Sequence, residues 1–399
     1  MASSTPIMIM ICILAASFLS AALANADVLI ISVADFGAKG DGKTDATQAF
    51  LQAWSAACTS TQPTTFLVPA RNKYLLGPVE LKGPCNNTGI TIRIEGILVA
   101  PPDYRQMQSE DYWIRFSNVQ GVSVIGGYLN GQGLRLWACK AAAAPNCPSG
   151  TTSLAFFDSK DISISGLTSI NSELYHIAID SSSNVAVDNV RIYAPKDSPN
   201  TDGIHVEQST DVRIVNAGIK TGDDCISIGP GTQNLWIEHV ACGPGHGISI
   251  GSLGKALKED GVENVTVKSV VFNGTQNGLR IKSWARPSDG FVKGVMFENA
   301  VMINVDNPII IDQNYCPHNQ GCPGQDSGVK ISEVTYKNIR GTSTSKLAMT
   351  FDCSPSAPCD GIELQDIKLT FGSQQQVAQS LCKNVEGATN GLITPPGCF

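Results

Sequence analysis

One short apolar pattern, apolar-x-apolar, returns along most of this chain in two interleaved columns. The first reads Ile92-Ile94, Val122-Val124, Ile162-Ile164, Val185-Val187, Val212-Ile214 and Leu235-Ile237, and continues through Val265-Val267, Val295-Phe297, Val334-Tyr336 and Ile362-Leu364. The second reads Ile177-Ile179, Ile204-Val206, Ile226-Ile228, Ile248-Ile250, Leu279-Ile281 and Ile309-Ile311; subtracting first residues gives steps of 27, 22, 22, 31 and 30. Alternation with period two marks strands with one buried face. Strands this short cannot bury that face alone, so successive repeats must stack. The expected fold is all-β: a right-handed parallel β-helix of about ten coils. A leucine-rich repeat needs a more regular period, and a β-sandwich would not align its alternation in columns. Ala46 to Trp54 reads as a short N-terminal helix capping the first coil, where an open sheet edge would otherwise be exposed. Little helical patterning follows Trp54.

The N-terminus has a different character. Ile7 to Ala24 is apolar, no charged residue precedes Asp27, and Ala24-Asn25-Ala26 has the small-x-small form of a cleavage site. Residues 1–26 are therefore read as a secretory signal peptide and 27–399 as one catalytic domain. No later stretch is long and apolar enough to span a membrane, so no membrane association is expected after cleavage. The net charge of −7 argues against a nucleic-acid partner. It leaves room for an anionic ligand in a locally basic cleft.

Cysteine usage agrees with secretion. Of thirteen, Cys12 leaves with the signal, and the remaining even number suits disulfides. Proximity suggests Cys139–Cys147, Cys225–Cys242, Cys316–Cys322, Cys353–Cys359 and Cys382–Cys398, which leaves Cys58–Cys85. Sequons at Asn86, Asn264 and Asn273 are candidate glycosylation sites.

The columns also place charge. Asp202, Asp224 and His246 each stand two residues before a second-column strand, on three consecutive coils. Stacked strands lie about 4.8 Å apart, so these groups form a ladder on one side of the solenoid, with Asp223 beside it. If Leu279 and Ile281 point inward, Arg280 and Lys282 point outward one coil beyond His246. Taken singly, each acid is more often a turn residue and each cation a solvated one. Together they form an unusual concentration in a chain with only 16% charged residues. Crowded carboxylates force one to keep its proton to higher pH, which sets a general acid beside a general base. Cys225 as a nucleophile lacks a partner other than Cys242. The flanking Gly-Pro-Gly stretches lack the Lys of a phosphate loop. A metal site is opposed by Arg280 and Lys282, and no cofactor is expected. Paired carboxyls suit glycosidic bond cleavage, and adjacent Arg and Lys suit a sugar that carries its own carboxylate. The substrate indicated is a polyuronide, and its binding should weaken with salt because it relies on partly exposed charges.

Asn200-Thr201-Asp202-Gly203, Gly222-Asp223-Asp224, Gly245-His246-Gly247 and Arg280-Ile281-Lys282 resemble, in order and spacing, the four motifs of the polygalacturonases, the pectin-cutting glycoside hydrolases. The resemblance covers nearly all of the mature chain and is closest to the pollen-type plant exopolygalacturonases. It implies Asp223 as general acid, Asp202 and Asp224 as the groups that activate water, and His246 as a group that tunes the acid. It implies Arg280 and Lys282 as ligands of the galacturonate carboxylate, with Asn200 and Tyr315 also in the cleft. It further implies pectin or polygalacturonate as partner, inversion at the anomeric carbon, and a secreted, monomeric enzyme of the cell wall. Geometry alone leaves inversion open, because adjacent rungs would place Asp202 and Asp224 near the separation of retaining enzymes. Two long steps, Val122 to Ile162 and Val295 to Val334, could hold inserts that wall the cleft and favour exo action. The competing readings are an endo-acting enzyme, a pectate lyase and a non-catalytic wall-binding solenoid.

Overall fold

The computed structural model describes Met1 and residues 28–107, 111–372, 374 and 376–399. Apart from Met1, the expected signal segment lies outside the described residues. No helix among the described residues is long and apolar enough to cross a membrane.

The two apolar columns become two faces of a parallel β-helix. First-column strands stack in register, with Ile162 and Ile164 opposite Val185 and Val187, then Val212 and Ile214, then Leu235 and Ile237. All eight are at most 2% exposed. Second-column strands form a separate sheet of eleven, running from Val79–Lys82 to Gln379–Lys383. A third set of three-residue strands, from Lys73–Leu75 to Gly218–Lys220, completes each early coil. Both non-cleft stacks then merge into longer strands, beginning with Gln233–Cys242. All named pairings are parallel except a short antiparallel contact of Thr370 with Val377. Tight corners use asparagine in the left-handed region, such as Asn189 and Asn216, whose short side chains tolerate it.

The first coil is closed by a helix, α1 (Thr47–Thr59), which runs five residues past the expected end. Ala46, Ala49, Phe50, Ala53, Trp54 and Ala57 form its buried stripe, so the helical period continues past Trp54. Phe50 packs on Phe66 and Tyr74, and Trp54 packs edge-on against Phe116 at 5.6 Å. A second helix, α2 (Leu134–Ala141), falls in the first long step, where little helical patterning was expected. Its signal was two residues, Leu136 and Trp137, that bury against the coil. All six disulfides are those expected, five from proximity and Cys58–Cys85 as the remaining pair: Cys58–Cys85, Cys139–Cys147, Cys225–Cys242, Cys316–Cys322, Cys353–Cys359 and Cys382–Cys398. Asn86, Asn264 and Asn273 are all exposed.

Phe156 and Phe116 stack inside the coil at 4.8 Å with an interplanar angle of 5°. Replacing Phe156 by Ala should destabilise the protein by roughly 3–5 kcal/mol through an unfilled cavity. The check is the midpoint of chemical denaturation, and an unchanged midpoint would rule the estimate out.

Candidate active site

The corner before each cleft-sheet strand carries one ladder. Ile177, Ile204, Ile226 and Ile248 are opposite one another in register. The residues two positions earlier are Tyr175, Asp202, Asp224 and His246, on successive coils. Main-chain bonds extend the pairing through the corner: His176 N–H donates to Asp202 O (2.8 Å), Gly203 to Asp224 O (2.9 Å) and Cys225 to Gly247 O (2.7 Å). Glycine is required where coils touch. A side chain on Gly222 would run into the Ser198 carbonyl, and one on Gly247 into that of Asn277. Gly247 also has a φ of +93°. Cys225–Cys242 pins the segment immediately after Asp224, so Cys225 is a brace and not a free thiol.

The four acidic and basic motifs meet in one place. Asp224 is 1% exposed, and three side chains satisfy it. Arg280 Nη2 donates to Oδ1 at 2.7 Å, Ser249 Oγ to the same oxygen at 2.7 Å, and Lys282 Nζ to Oδ2 at 2.9 Å. Arg280 Nε also donates to Ser249 at 2.8 Å. Leu279 and Ile281 are fully buried inward, as the alternation required. Yet Arg280 and Lys282 are only 8% and 7% exposed, so the expectation of partly exposed cations is corrected. Their pairing with Asp224 folds them onto the cleft floor, where salt screens little.

Asp223 turns the other way. Its Oδ1 accepts the Asp224 amide at 2.8 Å and lies 3.0 Å from His246 Nδ1, while Asn200 Nδ2 approaches Oδ2 at 3.5 Å. Its side chain is 19% exposed, which keeps it within reach of the cleft. Lys282 Nζ stands 5.2 Å from the centre of the Tyr315 ring, and Trp284 meets that ring edge-on.

Burial and charge push the carboxyls apart. Asp202 is raised well above the ordinary carboxylate range by burial and by the adjacent Asp223 and Asp224. Burial would raise Asp224 too, but Arg280, Lys282 and the bonds from Lys282 and Ser249 outweigh it and hold it at about 2. The crowded site thus contains both a proton holder and a fixed anion. Asp223, Asp224 and His246 have ligand-type atoms within 4.8 Å of one another. Both oxygens of Asp224 already accept from cations, which opposes a metal ion there.

The cleft, with its open mouth, spans about 630 Å³, and among its lining residues are Asn200, Asp202, Asp223, Asp224, Lys282 and Tyr315, all singled out from sequence. His246 and Arg280 stand behind these groups and touch them. Tyr175, Glu207, Ser227 and Lys255 also line the cleft but were not anticipated. Tyr175 had a signal, since it occupies the same ladder position as Asp202 one coil earlier. It stacks on His205 at 4.7 Å, and His205 bridges Ser227 (2.8 Å) and Glu207 (3.2 Å). Ser249 had a signal as the outward residue of Ile248-Ser249-Ile250. Lys255 follows the strand Ile248–Leu253 in a loop and had none.

A parallel β-helix with clustered carboxyls beside an Arg–Lys pair defines a solenoid with the equipment of a glycoside hydrolase. The profile of Glycosyl hydrolases family 28 matches residues 58–392. A polygalacturonase of Prunus persica is 56% identical over 376 residues, spanning 94% of this chain and 95% of the relative. An exopolygalacturonase of Platanus acerifolia is 42% identical over 368 residues, spanning 92% and 97%. Among solved structures, the polygalacturonase of Erwinia carotovora ssp. carotovora superposes with a TM-score of 0.69 at 26% identity, spanning 87% of this chain and 94% of that one. The endo-xylogalacturonan hydrolase of Aspergillus tubingensis has the same fold, with a TM-score of 0.77 at 24% identity and spans of 92% and 99%. The chain belongs to glycosyl hydrolases family 28 and is a glycoside hydrolase of the polygalacturonase family.

Proposed function

We propose that the enzyme removes galacturonate from the end of polygalacturonate chains by an inverting acid–base hydrolysis. The observation that carries exo action is one outward row on the cleft floor. Asp180 pairs in register with Glu207 on one side of the reaction point, and Lys282 with Asp312 and then Asp352 on the other. The Lys282 cation is therefore bracketed by carboxyls in both directions. A polyanion lying across this stretch would meet carboxyls on both sides of Lys282, of which Asp352 alone is paired with a lysine, Lys383 at 3.1 Å, whereas one terminal uronate meets the cations alone. The two long steps support the same reading. The insert carrying α2 ends at Thr152–Phe157, whose Ser153 bonds Tyr175 O, two coils before Asp202. The insert closed by Cys316–Cys322 follows Tyr315 directly. The 42% identical relative named an exopolygalacturonase agrees.

In this mechanism Asp223 donates a proton to the leaving oxygen, while Asp202 and Asp224 hold and deprotonate water. His246 orients the acid. Arg280 and Lys282 each keep donors beyond those given to Asp224, since a guanidinium has five N–H groups and an ammonium three. Those remaining donors would hold the sugar carboxylate, with Tyr315 and Asn200 at the edges. Burial and the neighbouring Asp223 and Asp224 raise Asp202 in the free protein, so the proton is shared among adjacent carboxyls. The cluster must supply one proton and one base at once.

Digestion of long polygalacturonate tests the reading. Galacturonate released with slow viscosity loss, in chelator and without new ultraviolet absorbance, is expected. Early mixed oligomers would indicate an endo enzyme, and a calcium-dependent unsaturated product a lyase. The pH profile follows from the raised carboxyl. The rate should peak at acidic pH and fall as pH rises through the pKa of the cluster, because the donated proton is then lost. A rate that climbs steadily to about pH 8 would contradict it.

A further inference from the structure

Around the corner from the cleft, the three-residue strands form a second outward face. Their middle residues, from Tyr74 through Leu129 to Ile219, point into the core and are at most 2% exposed. The flanking residues point out in two rows fixed by register. Lys73, Ile97, Tyr128, Thr168 and Arg191 form one; Leu75, Val99, Asn130, Ile170, Tyr193 and Lys220 form the other. Neither row contains a carboxylate, although the chain has 35 Asp and Glu against 28 Lys and Arg.

The cations of this face are uncommitted. Among the described residues, Lys73, Arg191 and Lys220, with Lys43 on the rim, have no carboxylate within 4.0 Å. The nearest acids in register are Asp41 and Asp45, opposite Lys73 and Leu75. Asp41 is occupied by the amides of Lys43 and Thr44 and by the Thr44 hydroxyl, each at 2.8 Å. Asp45 accepts the Thr47 amide at 2.8 Å and the Thr47 hydroxyl. The two tyrosines are 40% and 39% exposed, large apolar surfaces with polar tips on an otherwise flat sheet. They stand two strands apart, about 10 Å along the axis, which matches a short run of linked sugar rings. Between Lys43, Lys73 and Tyr128 the face deepens into a groove of about 1210 Å³ with an apolar floor of Leu75, Val99 and Ile170.

We propose that this face is a second, non-catalytic binding surface for a galacturonan chain, which holds the enzyme on the polymer it trims. Tyrosines supply stacking area for pyranose rings, and the unpaired cations supply partners for their carboxylates. This occupant is favoured by charge complementarity: beyond Asp41 and Asp45 at one end, the two rows of this overall acidic protein carry cations and no carboxylate. The proposal rests on galacturonan being the substrate of the cleft.

The test compares the wild-type protein with Lys73→Glu/Arg191→Glu and with Tyr128→Ala/Tyr193→Ala. Adsorption to insoluble polygalacturonate is measured at low salt with galacturonate present to saturate the cleft, and turnover of trigalacturonate is measured separately. Adsorption should fall at least five-fold in both variants, with turnover of the trimer within two-fold of wild type. Adsorption equal to wild type in both variants overturns the proposal, as does equal adsorption of the wild type to cellulose, or a wild type that does not adsorb. The two readings separate cleanly. A wild type that cannot cleave the trimer, but whose adsorption depends on these residues, sinks the catalytic reading and supports the face. A wild type that cleaves while its variants adsorb normally sinks the face alone.

Discussion

Asp223→Asn is expected to lower kcat by roughly 10²–10⁴-fold while leaving the fold and substrate affinity intact. The amide keeps the size of the side chain but cannot donate an acidic proton. Neither oxygen of Asp223 is held by an Arg or a Lys: one accepts the Asp224 amide and faces His246, and the other has only the 3.5 Å approach of Asn200. Little structural energy depends on its charge, so circular dichroism and the denaturation midpoint should match wild type. Affinity can be measured directly on the slow variant. A variant that turns over polygalacturonate at the parental rate would remove Asp223 from the chemistry.

Arg280→Ala should combine a large loss of activity with a large loss of stability. Asp224 is buried to 1% exposure and shares its oxygens between Arg280, Ser249 and Lys282. Removing Arg280 leaves Asp224 with Lys282 and Ser249 alone, so the cost should approach but not exceed the roughly 3–5 kcal/mol of a fully broken buried pair. The pH dependence identifies the cause. Asp224 is depressed to about 2 in the folded protein against 3.8 unfolded, so its contribution is present above the unfolded value and is lost as pH falls toward 2. The stability gap between variant and wild type should therefore be full near neutrality and narrow below about pH 4. A gap that is the same at all pH values would point to lost packing instead. Arg280→Lys should recover part of the stability and less of the activity, because an ammonium cannot reproduce the two-pronged contact with Asp224 and Ser249.

The two predictions depend on different kinds of information. The ladder Asp202–Asp224–His246 was legible because strand period and coil step are both written into the apolar residues. Anything at a fixed offset from Ile204, Ile226 and Ile248 must stack, and applying the same offset at Ile177 would have identified Tyr175. Five disulfides were legible because their cysteines lie only 6 to 17 residues apart, and the sixth was the remaining pair. By contrast, α2 was missed because its eight residues are fewer than the roughly 11 over which a helical period is read. Lys255 was missed because it belongs to a loop outside both columns.

The amino-acid sequence alone determined the winding: alternating Ile and Val residues can be buried only by stacking coils, and stacking fixes which residues share a side. The tertiary structure decided how the charges are spent. Arg280 and Lys282 point outward as the alternation demands, yet they close on Asp224 and are nearly buried. Asp223 turns toward His246, and burial beside two other carboxyls raises Asp202. Side-chain torsions and desolvation set those partnerships, and neither is encoded in the period of the backbone.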